Sequence, residues 1–124
     1  MLHSVCLGSN DLARSGRFYD AALGTLGMKR LVERAHEFGY GSGDKVSVWI
    51  LVPFDGRPAT WGNGTQVLFL APGKEAVDAF HATVLREGGM DEGAPGPRPY
   101  RPGYYGAYCR DPDGNKLHVM HDGG

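Results

Sequence analysis

The strongest constraint on this chain is that its pattern occurs twice. Candidate amphipathic helices begin at Leu12 and Lys74, 62 positions apart, and the apolar runs leading into them are offset by a similar distance. In residues 12–26, Leu12, Tyr19, Ala22, Leu23 and Leu26 recur at three- and four-residue steps, which places them on one helical face, with Asp11 as N-cap and Gly24 or Gly27 as the stop. In residues 74–87, Val77, Phe80 and Val84 share a face before Gly88-Gly89 ends the helix. Short β-compatible runs fill the rest: 2–8, 28–33, 37–41 and 45–52 in the first half, then 65–71, a short piece near Met90, 104–110 and 115–121 in the second. Gly41-Ser42-Gly43-Asp44 and Asp111-Pro112-Asp113-Gly114 have the chemistry of tight turns, and the proline- and glycine-rich stretch 93–103 reads as a loop.

A half of some 60 residues buries too little apolar surface to stand alone, so the halves must share a core. The predicted class is α+β: two tandem βαβββ modules forming a curved mixed sheet with the helices on the outside. One domain is expected, with module 1 at 1–53, a linker at 54–64 and module 2 at 65–122. The concave side is the predicted pocket.

Composition removes several function classes. With 13 Lys+Arg against 14 Asp+Glu among 124 residues, the net charge of −1 supplies no field for holding a polyanion or an anionic membrane, so no nucleic-acid or membrane partner is expected. No window approaches the roughly 18 apolar residues of a membrane span, and residues 1–10 lack the pattern of a secretory leader, so a cytoplasmic location is expected. Cys6 and Cys109 lie in separate strand-like runs without a CxxC, which predicts two reduced, partly buried thiols.

The residues then resemble a known family. The opening strand followed by Asp11-Leu12 and Phe18-Tyr19, the run Ala76-Val77-Asp78-Ala79-Phe80-His81 followed by Gly88-Gly89, the stretch Gly93-Ala94-Pro95-Gly96-Pro97-Arg98-Pro99, and Asp111-Pro112-Asp113-Gly114-Asn115-Lys116-Leu117 together resemble the vicinal oxygen chelate superfamily. That superfamily includes glyoxalase I, extradiol dioxygenases, fosfomycin-resistance enzymes and bleomycin-binding proteins. The likeness spans essentially the whole chain and rests on the order and spacing of motifs of which none is unique. It implies paired βαβββ modules, the arrangement already read from periodicity.

The resemblance also implies where a divalent metal would sit: commonly His, His and Glu, from the first strand of each half and the last strand of the second. Here those positions carry Ser4, Gln66 and His118. A hydroxyl is a poor ligand for Zn, Fe or Ni, an amide oxygen a weak one, and only His118 is a strong donor. His3 is one residue out of register, on the opposite face of its strand from Ser4. His121 is three residues from His118 and therefore also on the opposite face, while His36 and His81 read as surface or packing residues.

Strand alternation nominates Ser4, Cys6, Trp49, Gln66, Leu68 and Met120 as pocket residues, with Tyr100, Tyr104, Tyr105, Arg98 and Arg101 around a loop placed to cover a cup. In the first reading, the protein is a small-molecule binder or metal-free enzyme with a degenerate site. No cofactor is then needed, and His118 is the acid–base group because an ordinary imidazole titrates near neutrality. Ser4, Cys6, Trp49, Gln66, Arg98, Tyr105 and Met120 contact the ligand. In the second, Gln66 and His118 hold Zn, Ni, Mn or Fe in a metal-dependent lyase, dioxygenase or thiol transferase. A homodimer is expected in both, since an isolated chain of this class leaves sheet edges open.

Overall fold

The repeat read from the sequence is the architecture of the chain, seen here in a computed structural model that describes residues 1–123. Module 1 runs β1 (Val5–Gly8), α1 (Leu12–Gly24), β2 (Lys29–Glu33), β3 (Glu37–Ser42) and β4 (Lys45–Leu51). Module 2 repeats it as β5 (Gln66–Leu70), α2 (Lys74–Arg86), β6 (Met90–Pro97), β7 (Tyr105–Arg110) and β8 (Lys116–His121). Each module builds a four-stranded mixed sheet, ordered β1-β4-β3-β2 and β5-β8-β7-β6. In each the first strand lies parallel to the last and the other neighbours are antiparallel. Among the described residues no strand of one sheet pairs with a strand of the other.

Local chemistry sets the element ends. Asp11 caps α1 by accepting the Arg14 N–H at 3.0 Å. Gly27 and Gly88, at φ +80° and +98°, let the chain leave the two helices in a left-handed conformation that a side chain would oppose. The stretch at 93–97, read as loop from its glycines and prolines, is instead the second half of β6. β6 is an edge strand paired only with β7, through two register shifts, and an edge position tolerates the missing N–H of Pro95 and Pro97. At the other end, β1 starts only at Val5, so Ser4 precedes the strand rather than sitting within it.

Strand alternation then sorts side chains into a helix-facing set and an open set. Leu7, Val48, Ile50, Phe38 and Tyr40 in the first sheet, and Phe69, Ala107, Cys109, Leu117 and Val119 in the second, form one core with Phe18, Tyr19 and Leu23 of α1 and Val77, Phe80 and Val84 of α2. α1 packs against α2, and the β7–β8 turn lies against the junction of β1 with α1. There Asn115 Nδ2 donates to the Gly8 carbonyl at 3.0 Å, Arg14 pairs with Asp113 at 2.7 Å, and the Tyr19 hydroxyl donates to Asp111 at 2.5 Å. Residues 52–65 contain no helix or strand. This segment is tied to module 1 by a reciprocal pair of hydrogen bonds between the Asn10 amide and the Ala59 backbone. No helix among the described residues is long and apolar enough to cross a membrane.

Candidate functional site

The open face of the second sheet is fixed by its register. Parallel pairing sets Gln66 beside Lys116, Leu68 beside His118 and Leu70 beside Met120, while the β7–β8 hairpin sets Tyr108 opposite His118 and Gly106 opposite Met120. All of these side chains point away from α2, and their exposure divides sharply. Leu68 and Leu70 are 52% and 68% exposed, whereas His118 and Met120 are 3% and 6% exposed. Over His118 the cover is made by tyrosines.

Tyr108 stacks on the imidazole with centroids 4.1 Å apart and planes 33° apart, and the Tyr104 hydroxyl lies 3.2 Å from His118 Nε2. Tyr100 meets Tyr104 edge-on at 5.0 Å, and its hydroxyl is 2.6 Å from that of Tyr108. Glycine at 106 is part of this packing, because a Cβ there would stand 3.1 Å from His118 Nε2 and 3.3 Å from the Tyr104 ring. His118 Nδ1 is buried and has no hydrogen-bond partner among the described residues.

Burial, with the positive charges of Arg98 and Lys116 nearby, pushes the His118 imidazole down to about 4. It is therefore neutral at pH 7, which departs from the near-neutral titration expected of an ordinary histidine. The two cations sit 5.5 and 5.3 Å from the centre of the Tyr108 ring. Burial, followed by the hydrogen bond to Tyr100, pushes the Tyr108 phenol up to about 12. The site is thus an uncharged imidazole among the phenols of Tyr100, Tyr104 and Tyr108, a set that donates and accepts hydrogen bonds and stacks on flat molecules.

Of the residues nominated from the sequence, Gln66, His118 and Met120 share this face. Arg98 is next to it, its guanidinium donating to the Ala94, Gly96 and Pro97 carbonyls beneath its stack on Tyr108. Tyr105 lies on the α2 side, its hydroxyl donating to Asp78 at 2.6 Å. Cys6 and Trp49 belong to the first sheet, side by side in the β1–β4 register, and Ser4, just ahead of β1, is hydrogen-bonded to His3 at 3.1 Å. Trp49 lies over β3, where a Cβ on Gly39 would come within 2.8 Å of the indole. Cys6 is exposed, and Cys109 is buried on the core side, where burial pushes its thiol up to about 12.

Tyr108 was not singled out from the sequence, although a turn at 111–114 does place it across the hairpin from His118. Two of the other histidines have structural partners: His81 binds Asp91 at 3.0 Å, and His121 Nδ1 is 3.3 Å from the Ala71 carbonyl.

The donor set does not fit a metal held by one chain. His118 is surrounded by phenols and by Leu68, and the Ser4 hydroxyl is hydrogen-bonded to His3. Among the described residues no group of three or more His, Cys, Asp or Glu side chains is arranged to hold a metal ion.

Comparison with known proteins agrees with this architecture. A glyoxalase/bleomycin resistance protein from Albidiferax ferrireducens T118 superimposes with a TM-score of 0.87 at 43% identity, covering 98% of each chain. A lactoylglutathione lyase from Agrobacterium tumefaciens matches at 0.67 and 20% identity over 98% of this chain and 92% of that one, which shows a shared fold. Glyoxalase I from Zea mays matches at 0.70 and 25% identity over 97% of this chain and 45% of its own. No curated protein matches the chain. The family model for the Glyoxalase/Bleomycin resistance protein/Dioxygenase superfamily matches residues 1–119, and the chain belongs to that superfamily.

Proposed function

We propose that the open face of module 2 binds a small, flat organic molecule without a metal ion. The observation that carries this reading is His118: a buried, neutral imidazole stacked on Tyr108, with an unpartnered Nδ1 and no carboxylate or second histidine beside it. Leaving a buried nitrogen unpaired costs roughly 1–3 kcal/mol, and a ligand that pairs with it recovers that energy. Gln66 offers an amide at the exposed end of the face, and Leu68, Leu70 and Met120 offer apolar contact.

The same face supports a homodimer. Leu68 and Leu70 stand open on β5, and the first sheet presents Cys6 and Trp49 on its own open side. In this reading the module 1 face of a second copy closes the module 2 face, which brings Ser4, Cys6 and Trp49 to the ligand. Whether the site turns its ligand over rests on His118. At about 4 the imidazole is a weak base, so its first role is to hold the ligand, and catalysis would require the pocket to raise its basicity once the ligand is bound.

The test is metal analysis of protein purified without chelator or affinity tag, followed by a binding screen of flat aromatic and carbonyl compounds. The expected result is no stoichiometric Zn, Ni, Mn or Fe, together with ligands whose affinity falls about tenfold or more in His118→Ala. Stoichiometric metal that is lost in Gln66→Ala or His118→Ala would overturn the metal-free reading.

A further inference from the structure

Beside the tyrosine roof, where the loop after β6 meets the start of α2, is a cleft of about 340 Å³. Its walls bring together Lys74, the first residue of α2, with Arg98 and Arg101 of the loop that follows β6, over a floor of Tyr104 and Tyr105. We propose that this cleft is a binding site for a small anion carrying a carboxylate or phosphate group.

Three cations from two separate elements line it, and among the described residues only Arg101 forms an ion pair. Arg101 binds Asp122 at 2.6 Å. Arg98 directs N–H groups at the neutral carbonyls of Ala94, Gly96 and Pro97, which fix the position of the guanidinium, and it forms no ion pair with a carboxylate of the described residues. The Lys74 ammonium rests 5.5 Å from the centre of the Tyr105 ring and forms no ion pair with a carboxylate of the described residues. The nearby Asp78 carboxylate is engaged by the Tyr105 hydroxyl at 2.6 Å. Lys74 also stands at the positive end of the α2 dipole.

The cleft is preformed. Arg98 N–H donates to the Tyr104 carbonyl at 3.1 Å and Tyr104 N–H to the Arg101 carbonyl at 3.2 Å, which ties the loop into a closed turn. Prolines at 97, 99 and 102 restrict its backbone, so little entropy is lost when an anion enters. Planar guanidinium groups suit carboxylate and phosphate oxygens alike, so one chemistry covers both ligands. Tyr104 forms part of this cleft and also hydrogen-bonds His118, so it is a shared wall between the anion site and the face proposed for the organic ligand. The anion site stands whether or not that face binds anything.

The experiment is an amide NMR titration of the intact protein with inorganic phosphate and, in a second arm, with succinate, at ionic strength held constant with sodium chloride. Succinamide serves as the uncharged control. The expected result is saturable one-to-one binding in at least one arm, with shifts centred on Lys74 and residues 98–105 and none with succinamide. Lys74→Gln and Arg101→Gln should each weaken binding about five- to tenfold while the rest of the spectrum is unchanged. Shifts that grow linearly in both arms, shifts spread over basic residues across the surface, or variants that bind as tightly as the parent would each overturn the proposal.

Discussion

The Tyr19 hydroxyl on α1 donates to Asp111 Oδ2 at the β7–β8 turn over 2.5 Å, with both residues almost wholly excluded from solvent, so a deeply buried hydrogen bond stands among the contacts that join the two modules. Asp111 is the acceptor for the rest of the turn as well. Its Oδ1 takes the N–H groups of Asp113 and Asn115 at 2.9 Å, and its Oδ2 takes the Asn115 amide at 2.9 Å. Removing the Tyr19 donor leaves a buried carboxylate short of one partner while the ring still fills its space. Tyr19→Phe is expected to lose roughly 1.5–3 kcal/mol in urea unfolding at pH 7. A loss below about 0.5 kcal/mol would show that water replaces the phenol.

The same carboxylate gives a pH dependence. Burial holds the Asp111 pKa above the ordinary carboxylate value despite these hydrogen bonds. A carboxyl group raised in the folded state contributes stability that is present below its unfolded pKa and is lost as pH rises through the folded value. Compared with Asp111→Asn, the parent should therefore lose relative stability as pH rises above about 4, apart from a constant offset for the altered hydrogen bonds. Unfolding curves for the two proteins between pH 3 and 7 would measure it, and parallel curves would refute it.

His118 acts with the opposite sign. Its pKa is lowered to about 4, from burial first and then from Arg98 and Lys116, so its contribution is present above the ordinary imidazole value of 6.5 and is lost as pH falls through about 4. The effect is on the order of 3 kcal/mol across that window. The imidazole resonances of His118 should stay in the neutral form down to about pH 5. Titration of His118 near 6.5 would mean that the tyrosine roof is open in solution.

Gly106 tests that roof directly. A methyl group there would meet His118 Nε2 at 3.1 Å, the Val119 carbonyl at 3.2 Å and the Tyr104 ring at 3.3 Å. Its backbone is not in the left-handed region, so the expected cost of Gly106→Ala, about 1–2 kcal/mol, is steric. The substitution should also push Tyr104 off the imidazole and move the His118 pKa back toward its ordinary value. An unchanged His118 titration would separate the burial of the ring from its contact with Tyr104.

The segment between the modules makes a coupled prediction. Gly114 has φ +91°, and a Cβ there would come 2.4 Å from Trp61 Cδ1, while the Arg110 guanidinium lies 4.8 Å from the centre of the same indole. Gly114→Ala combines a strained backbone with displacement of the tryptophan and should cost roughly 2–3 kcal/mol. In a Trp61→Ala background it should cost about 1 kcal/mol less, because only the backbone strain remains. Additive losses in the double variant would show that the two residues do not touch in solution.

Much of this was legible in the chain. The 62-residue offset between Leu12 and Lys74, the cap at Asp11 and the turn at 111–114 set the two βαβββ units, because helix period, capping and turn chemistry act over a few residues. Strand alternation likewise put Gln66, His118 and Met120 on one face. The edge strand through Pro95 and Pro97 was missed because only its position at the rim of the sheet makes proline acceptable there. Tyr105 was grouped with the pocket because of its place in the sequence, yet its alternation with Tyr104 sends it to Asp78.

The sequence by itself determined the repeat and the fold family, since each of these is a matter of residue type and local spacing. Only the tertiary structure decided the character of His118. Its neutrality follows from Tyr108 across the hairpin, Tyr104 from the preceding loop, and Arg98 and Lys116 around the ring. Burial and electrostatic fields are properties of groups brought together in space, and no local pattern along the chain encodes them.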